Sequence, residues 1–363
     1  MSVRGRTGSI PPKVWAGVAL VAVALALLPF AAGMIGQAWV RILNFAMVYT
    51  MLALGLNIVV GFAGLLDLGY IAFYAVGAYM YALLASPHFG LHLPFWVILP
   101  LGAGLACIFG VLLGAPTLKL RGDYLAIVTL GFGEIIRIFL NNLNAPVNIT
   151  NGPQGVNLID PFRIGSFSFA RSETILGVTI TGPQKYYYML LFLTILVILV
   201  NVRLQNSRLG RAWEAIREDE VAARAMGINT RNVKLLAFAM GASFGGIAGA
   251  IFSATQQFVS PESFGLFESI IVLSMVVLGG MGNIPGVILG AVMLTLLPEF
   301  LRSTMEPLQN ALFGRVLLDA ETVRLLVFGI ALVAIMLYRP AGLWPSAVRK
   351  RELEVPEAAE AAD

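Results

Sequence analysis

Charge is scarce in this sequence: Asp, Glu, Lys and Arg make up 12% of its 363 residues, and it holds one cysteine and two histidines. A soluble domain carries about 25% charged residues, so an ordinary water-facing fold is excluded. The lone thiol, Cys107, lies inside an apolar run. It excludes an intramolecular disulfide, a thiolate metal cluster and a CxxC redox pair, and reads as a small buried apolar residue. His88 and His92 share a loop punctuated by Pro87, Gly90 and Pro94, too few ligands for a metal site. No GxxxxGK[ST] occurs, so ATP hydrolysis would have to come from another chain. No nucleophile lies near a base in the pattern of an enzyme. The net charge of +4 is spread beside apolar runs, and no basic stripe tracks a phosphate backbone.

What is abundant is apolar sequence, 58% of the chain against roughly 45 to 50% in soluble domains. It falls into blocks of span length at 14–36, 39–60, 65–85, 95–118, 124–141, 186–202, 233–254, 266–280, 284–301 and 322–338. Each bilayer crossing needs about 20 residues, so the expectation is an all-α polytopic membrane protein of about ten transmembrane helices. Gly and Pro interrupt several blocks, and the eighth and ninth are candidates for re-entrant segments. The domain plan is a short N-terminal segment (1–13), a transmembrane domain (14–338) and a C-terminal tail (339–363). The end of that tail, 352–363, is acidic, Ala-rich and of disordered composition.

Threading ten spans from a cytoplasmic N-terminus puts 16 of the 24 Lys and Arg residues on the cytoplasmic side and six outside, with Arg137 and Arg324 inside spans. Positive residues mark the cytoplasmic face, so both termini are expected there. The first block is uncharged over 14–36, longer than the h-region of a cleavable signal peptide, and reads as a retained helix. Two polar segments interrupt the plan. The outer one, 141–185, is rich in Asn, Gly and Pro and reads as turns and loop. The inner one, 203–234, carries eleven charges.

Within the inner segment, 211–226 contains no helix breaker and Gly227 suits a C-terminal cap. The expectation is one amphipathic helix with Trp213, Ile216, Ala223 and Met226 near one face and an i,i+4 pair between Glu220 and Arg224. Three consecutive acids, Glu218, Asp219 and Glu220, would be repelled by anionic headgroups. A mixed-sign face with an aromatic anchor fits a protein groove better than a lipid surface.

The run GRAWEAIREDEVAARAMGIN (210–229) resembles the coupling helix of branched-chain amino acid ABC importer permeases of the LivM type. RGDYLAIVTLGFGEIIRIFLNN (121–142), TNGPQGV (150–156) and FVSPESFGLFESIIVLSMVVLGGMGNIPG (258–286) resemble the same family, and the similarity covers most of residues 40–345. GFAGLLDLGYIAFYAVGAY (61–79) resembles a Gly-rich stretch shared more widely by this class, although Asp67 stands where a small polar residue is commoner. The resemblance implies an inner-membrane permease subunit that binds no cofactor itself and sits in membrane lipid. Its partners would be a second permease, two cytoplasmic ATPases holding ATP and Mg, and a periplasmic substrate-binding protein. Nucleic acid has no part in it. It implies ATPase coupling through Gly210, Arg211, Trp213, Glu214, Ala215, Arg217, Glu218, Asp219, Glu220, Arg224 and Gly227.

Small residues four apart at Ala237, Gly241, Gly245, Gly249 and Ser253 make a smooth helix face that a neighbouring backbone can approach. Gly282, Gly286 and Gly290 repeat the spacing on the ninth block; packing within the chain or against a partner permease would use both. Ionisable residues inside spans, Asp67, Glu134 and Arg137, should face protein or water, and Glu134 and Arg137 are close enough to neutralise one another. For a zwitterionic, apolar substrate, Tyr124, Thr129, Gly131, Phe132, Gly133 and Glu134 are the candidate path-lining residues. Two further readings stay open. One is the same scaffold importing urea or short amides; the other is an ion-coupled secondary transporter using Asp67, Glu134 and Arg137.

Overall fold

In a computed structural model the described residues are 12–313, except 118, 119, 121, 166, 176 and 177, together with scattered positions between 323 and 344. Eleven α-helices run through them: α1 Pro12–Ile35, α2 Gln37–Asn57, α3 Ile71–Leu84, α4 Phe95–Thr117, α5 Asp123–Asn142, α6 Gly182–Gln205, α7 Arg208–Glu218, α8 Glu220–Ala225, α9 Thr230–Gln256, α10 Leu266–Gly279 and α11 Ile284–Phe313. Among the described residues six segments are long and apolar enough to cross a membrane: Gln37–Phe62, Phe95–Thr117, Gly182–Gln205, Thr230–Gln256, Pro261–Gly279 and Ile284–Thr304. Ala19–Ile35 and Ile71–Leu84 are apolar but shorter, and α5 carries Glu134 and Arg137 on an amphipathic helix. The expected count of ten is thus not reached among the described residues. The tenth block, 322–338, is described only at scattered helical positions, and residues 1–11 and 345–363 lie outside the described residues.

The outer segment departs from the all-α expectation. It folds two small antiparallel hairpins, β1 Arg163–Ile164 with β2 Phe167–Ser168 and β3 Glu173–Ile175 with β4 Val178–Ile180. Gly165, at φ +60°, turns the first. The segment docks on its neighbours: Val156 and Val259 form a β-bridge, the Tyr81 hydroxyl donates to Asp160 O at 3.0 Å, and His92 Nδ1 lies 2.5 Å from Asp160 Oδ2. These contacts gather the loops 85–94, 143–181 and 257–265 at one end of the bundle. The opposite end gathers α7, α8, the turn 280–283 and residues 342–344, where Leu343 N and Trp344 N donate to Leu278 O and Gly279 O.

α2 and α9 form the centre, and the small-residue spacing explains why. A Cβ on Gly249 would collide with Tyr74 O of α3, one on Gly241 would sit 2.6 Å from Val59 Cγ2, and one on Gly245 3.1 Å from Phe73 Cβ. The stripe is therefore a groove filled by α3 and the end of α2, and at Gly249 the two backbones approach too closely for any side chain. Gly286 and Gly290 meet α10 backbone at Gly279 and Met275 in the same way. Gly282, expected on the same span, instead lies in the turn before α11 at φ +80°. α10 runs for 14 residues and α11 for 30.

The third block, expected to be helical from residue 65, starts as an open segment. After Asn57 the chain makes a π-helical turn, Ile58–Phe62, and stays irregular until α3 begins at Ile71. Gly64 at φ +68° and the Asp67 carboxylate, which accepts from Gly69 N at 2.9 Å, favour a turn over helix here. Freed backbone groups at this depth need partners. Leu68 N donates to Thr129 Oγ1 at 3.0 Å and Leu68 O accepts from Ser269 Oγ at 2.6 Å, so α5 and α10 supply them.

Candidate functional site

The charged inner segment is two helices, not one. Ser207 caps α7, accepting from Leu209 N and Gly210 N at 3.1 and 3.2 Å. The expected continuous helix breaks at Asp219, whose backbone is extended (φ −151°, ψ 111°) and whose carboxylate accepts from Val221 N at 2.7 Å and Ala222 N at 3.1 Å. Asp is among the strongest N-caps, so the acid read as part of a charged face restarts the chain as α8. Gly227 ends it at φ +86°. Ile228 N bonds Ala223 O and Gly227 N bonds Arg224 O, the paired hydrogen bonds of a Schellman ending.

The faces also differ from expectation. Trp213, expected as an anchor for a partner groove, is 0% exposed and donates Nε1–H to Val233 O at 2.8 Å. Ile216 and Ala223 are also buried, whereas Met226, expected on the same face, is 84% exposed. Glu220 is turned inward too: its carboxylate lies 2.6 Å from Lys234 Nζ, which is buried on α9, and 3.1 Å from Arg224. Arg217 points into the bundle, donating Nη1–H to Gly61 O at 2.7 Å. Gly210 is buried against the end of α6, where a Cβ would meet Leu204 O and Gln205 O. The face left outward holds Arg211, Glu214, Glu218, Asp219, Arg224 and Gly227, with Ala215 partly covered and Val221 and Met226 as exposed apolar groups. Val221 escaped the sequence reading because a single continuous helix phases it differently; the break at Asp219 resets the phase.

The candidate path residues do not share one face of α5. Thr129 is 0% exposed and bonded to Leu68, and Gly133 lies against Gly69. Phe132 packs on Phe73 with ring centroids 6.3 Å apart. Tyr124 is 73% exposed on the other side, and Gly131 has nothing within 4 Å of a Cβ position. Gly133 and Glu134 do line a cavity of about 130 Å³ closed by Leu68, Ile71, Leu130, Phe264 and Leu266. Glu134 accepts from Arg137 Nε at 3.0 Å, and Arg137 Nη1 donates to Glu262 at 3.0 and 3.1 Å. One arginine thus faces two carboxylates. Asp67 is fully buried in the open segment; its Oδ2 finds no hydrogen-bond partner. A larger cleft, about 360 Å³, opens at the loop-rich end between α2, α6 and α9, with Arg41 and Asn44 on its wall. The sequence marked Arg41 only as an outer positive charge. Among the described residues no three His, Cys, Asp or Glu side chains gather as a metal site.

Comparison with known proteins gives this arrangement a family. Residues 38–336 match the family described as branched-chain amino acid transport system / permease component. The high-affinity branched-chain amino acid transport system permease protein LivM of Escherichia coli (strain K12) is 43% identical over 340 residues, 90% of this chain and 74% of its own length. LivH of the same organism is 26% identical over 68% of this chain and 79% of its own. BraD of Pseudomonas aeruginosa is 26% identical over 81% of this chain and 91% of its own. No solved structure matches the chain. With its apolar spans and this match over most of its length, the chain belongs to the branched-chain amino acid transport permease family.

Proposed function

We propose that this chain is a permease subunit of an ATP-driven importer for branched-chain or related hydrophobic amino acids in a bacterial inner membrane. It forms the translocation path with a second permease and receives substrate from a periplasmic binding protein. The α7–α8 end faces the cytoplasm, with both termini, and docks on ATPase subunits. Ten spans complete the bundle, with α1, α3, α5 and the block 322–338 added to the six long apolar helices.

One observation carries the coupling assignment. α7 and α8 are held to the bundle by Trp213, Arg217 and the Glu220–Lys234 pair, yet present an outward face of Arg211, Glu214, Glu218 and Arg224 around exposed Val221 and Met226. A rigidly mounted face with apolar anchors inside a charged rim has the chemistry of a docking surface. Path lining is assigned to Gly133 and Glu134 at the α3–α5 cavity, with Tyr124 and Gly131 on the side of α5 open to a partner permease. The Glu134–Arg137–Glu262 cluster is internally paired, which disfavours an ion relay through it and leaves Asp67 of the three residues considered for that role.

The test is uptake by the complex reconstituted in proteoliposomes. Leucine transport should require ATP and the ATPase subunits, and should not respond to a proton or sodium gradient alone. Gradient-driven uptake by the isolated chain would overturn the reading in favour of a secondary carrier. Reversing Glu214 and Glu218 together to Lys should abolish ATP-coupled uptake while the subunit still inserts. Glu220 is the wrong choice for that experiment, because its carboxylate holds Lys234 within this chain. Comparing leucine, valine and urea as ligands of the binding protein decides the substrate.

A further inference from the structure

Arg217 was expected at the ATPase surface, but its guanidinium reaches in the opposite direction. Nη1 donates to Gly61 O at 2.7 Å in the π-helical turn that ends α2. That carbonyl is accessible because the helix does not continue: Leu65 N bonds back to Val59 O at 3.0 Å. The Arg217 stem lies against Gly64, where a Cβ would be 2.8 Å from Arg217 Cγ. The same Nη1 would be 3.1 Å from a Cβ on Gly282, in the turn between α10 and α11. Gly282 N in turn donates to Asn57 Oδ1 at 2.9 Å, and Gln205 Nε2, at the end of α6, donates to Gly282 O at 3.3 Å. A Cβ on Gly61 would lie 2.6 Å from Gly282 N, so no slack separates the two turns.

We propose that Arg217 is the positioning residue through which a displacement of α7 reaches the break between α2 and α3. The inference rests on the importer reading, since it needs a motor that moves α7. From the π-turn the open segment 63–70 continues to Leu68 and Gly69, which hold Thr129 of α5 and Ser269 of α10. α5 carries Gly133 and Glu134 at the cavity. Movement of α7 thereby reaches the wall of the path through the open segment, beside the contacts that Trp213 and Glu220 make with α9. Single π-helical turns within helices are frequent at functional sites. The planar, permanently charged guanidinium grips a carbonyl and packs beside a second turn at once, which a lysine ammonium does not reproduce.

The experiment uses the importer reconstituted from this chain, its partner permease, the ATPases and a leucine-loaded binding protein. Arg217→Met should leave assembly and basal ATP hydrolysis in place while leucine moved per ATP falls about tenfold or more, within the usual range of coupling between sites. Arg217→Lys should fall between wild type and Arg217→Met. Hydrogen exchange of residues 58–70 should change when vanadate traps the ATPases on the wild-type complex, and the change should vanish in Arg217→Met. A role in folding alone would leave that response intact. Wild-type stoichiometry in Arg217→Met, or no response at 58–70 in the wild type, overturns the proposal. Should Arg217→Met fail to assemble, the Lys variant and the wild-type exchange response decide it. A wild-type complex that moves no leucine on ATP would instead remove the importer reading on which the proposal stands.

Discussion

Trp213 and Lys234 set the stability of the inner segment one residue at a time. Trp213→Ala empties a fully buried site and leaves Val233 O without its donor, and should cost about 3 to 5 kcal/mol in thermal unfolding of the detergent-solubilised chain. Trp213→Phe keeps most of the volume and should cost about 1 kcal/mol for the lost hydrogen bond. Were Trp213 an anchor for a partner, either change would spare the isolated chain. Lys234, only 6% exposed, pairs with Glu220 at 2.6 Å. Lys234→Met takes the buried cation from a carboxylate that keeps its 3.1 Å pair with Arg224 and should cost about 1.5 to 3 kcal/mol, and adding Glu220→Leu should restore most of it, because a buried pair replaced by apolar groups is often near neutral.

Among elements, the junction of α7 and α8 and the faces of α5 and α9 behave differently. Asp219→Ala removes the side chain that caps Val221 N and Ala222 N and should destabilise α8 by about 1 kcal/mol. Faster amide exchange at 221 and 222 would register it; unchanged exchange would mean the split into two helices owes nothing to the cap. Gly249→Ala drives a methyl into Tyr74 O and should prevent α3 and α9 from docking, seen as loss of folded protein in detergent. Gly131→Ala meets nothing within 4 Å and should stay within about 0.5 kcal/mol of wild type. The Gly241–Gly245–Gly249 spacing was legible because small-residue periodicity is a property of one helix. That the groove is filled by α2 and α3 of the same chain depends on contacts between segments far apart in sequence.

For the whole molecule, orientation in the membrane is directly measurable. In a Cys107→Ala background, Asn148→Cys at the loop-rich end should react with an impermeant maleimide on intact cells. Asn206→Cys at the α7–α8 end should react only after permeabilisation. The reverse labelling would invert the assignment of the charged segment to the cytoplasm. Helix positions were readable from apolar run length: α4, α5 and α6 fall within a few residues of their blocks. The open stretch 63–70 was not: Gly64 and Asp67 are local turn signals within an otherwise apolar run, and its unwinding relies on Thr129 and Ser269 for hydrogen bonds.

By itself the sequence determined that this chain lives in a bilayer, roughly where its helices run and which segment concentrates charge, since each depends on the solvation of residues near one another in the chain. Only the tertiary structure decided which of those charges face outward. Trp213, Arg217 and Glu220 lie among the charged-segment residues yet turn inward, because Val233, Gly61 and Lys234 supply the partners there. A side chain's direction follows from where its hydrogen bonds and apolar surface are satisfied, and those partners come from elsewhere in the fold.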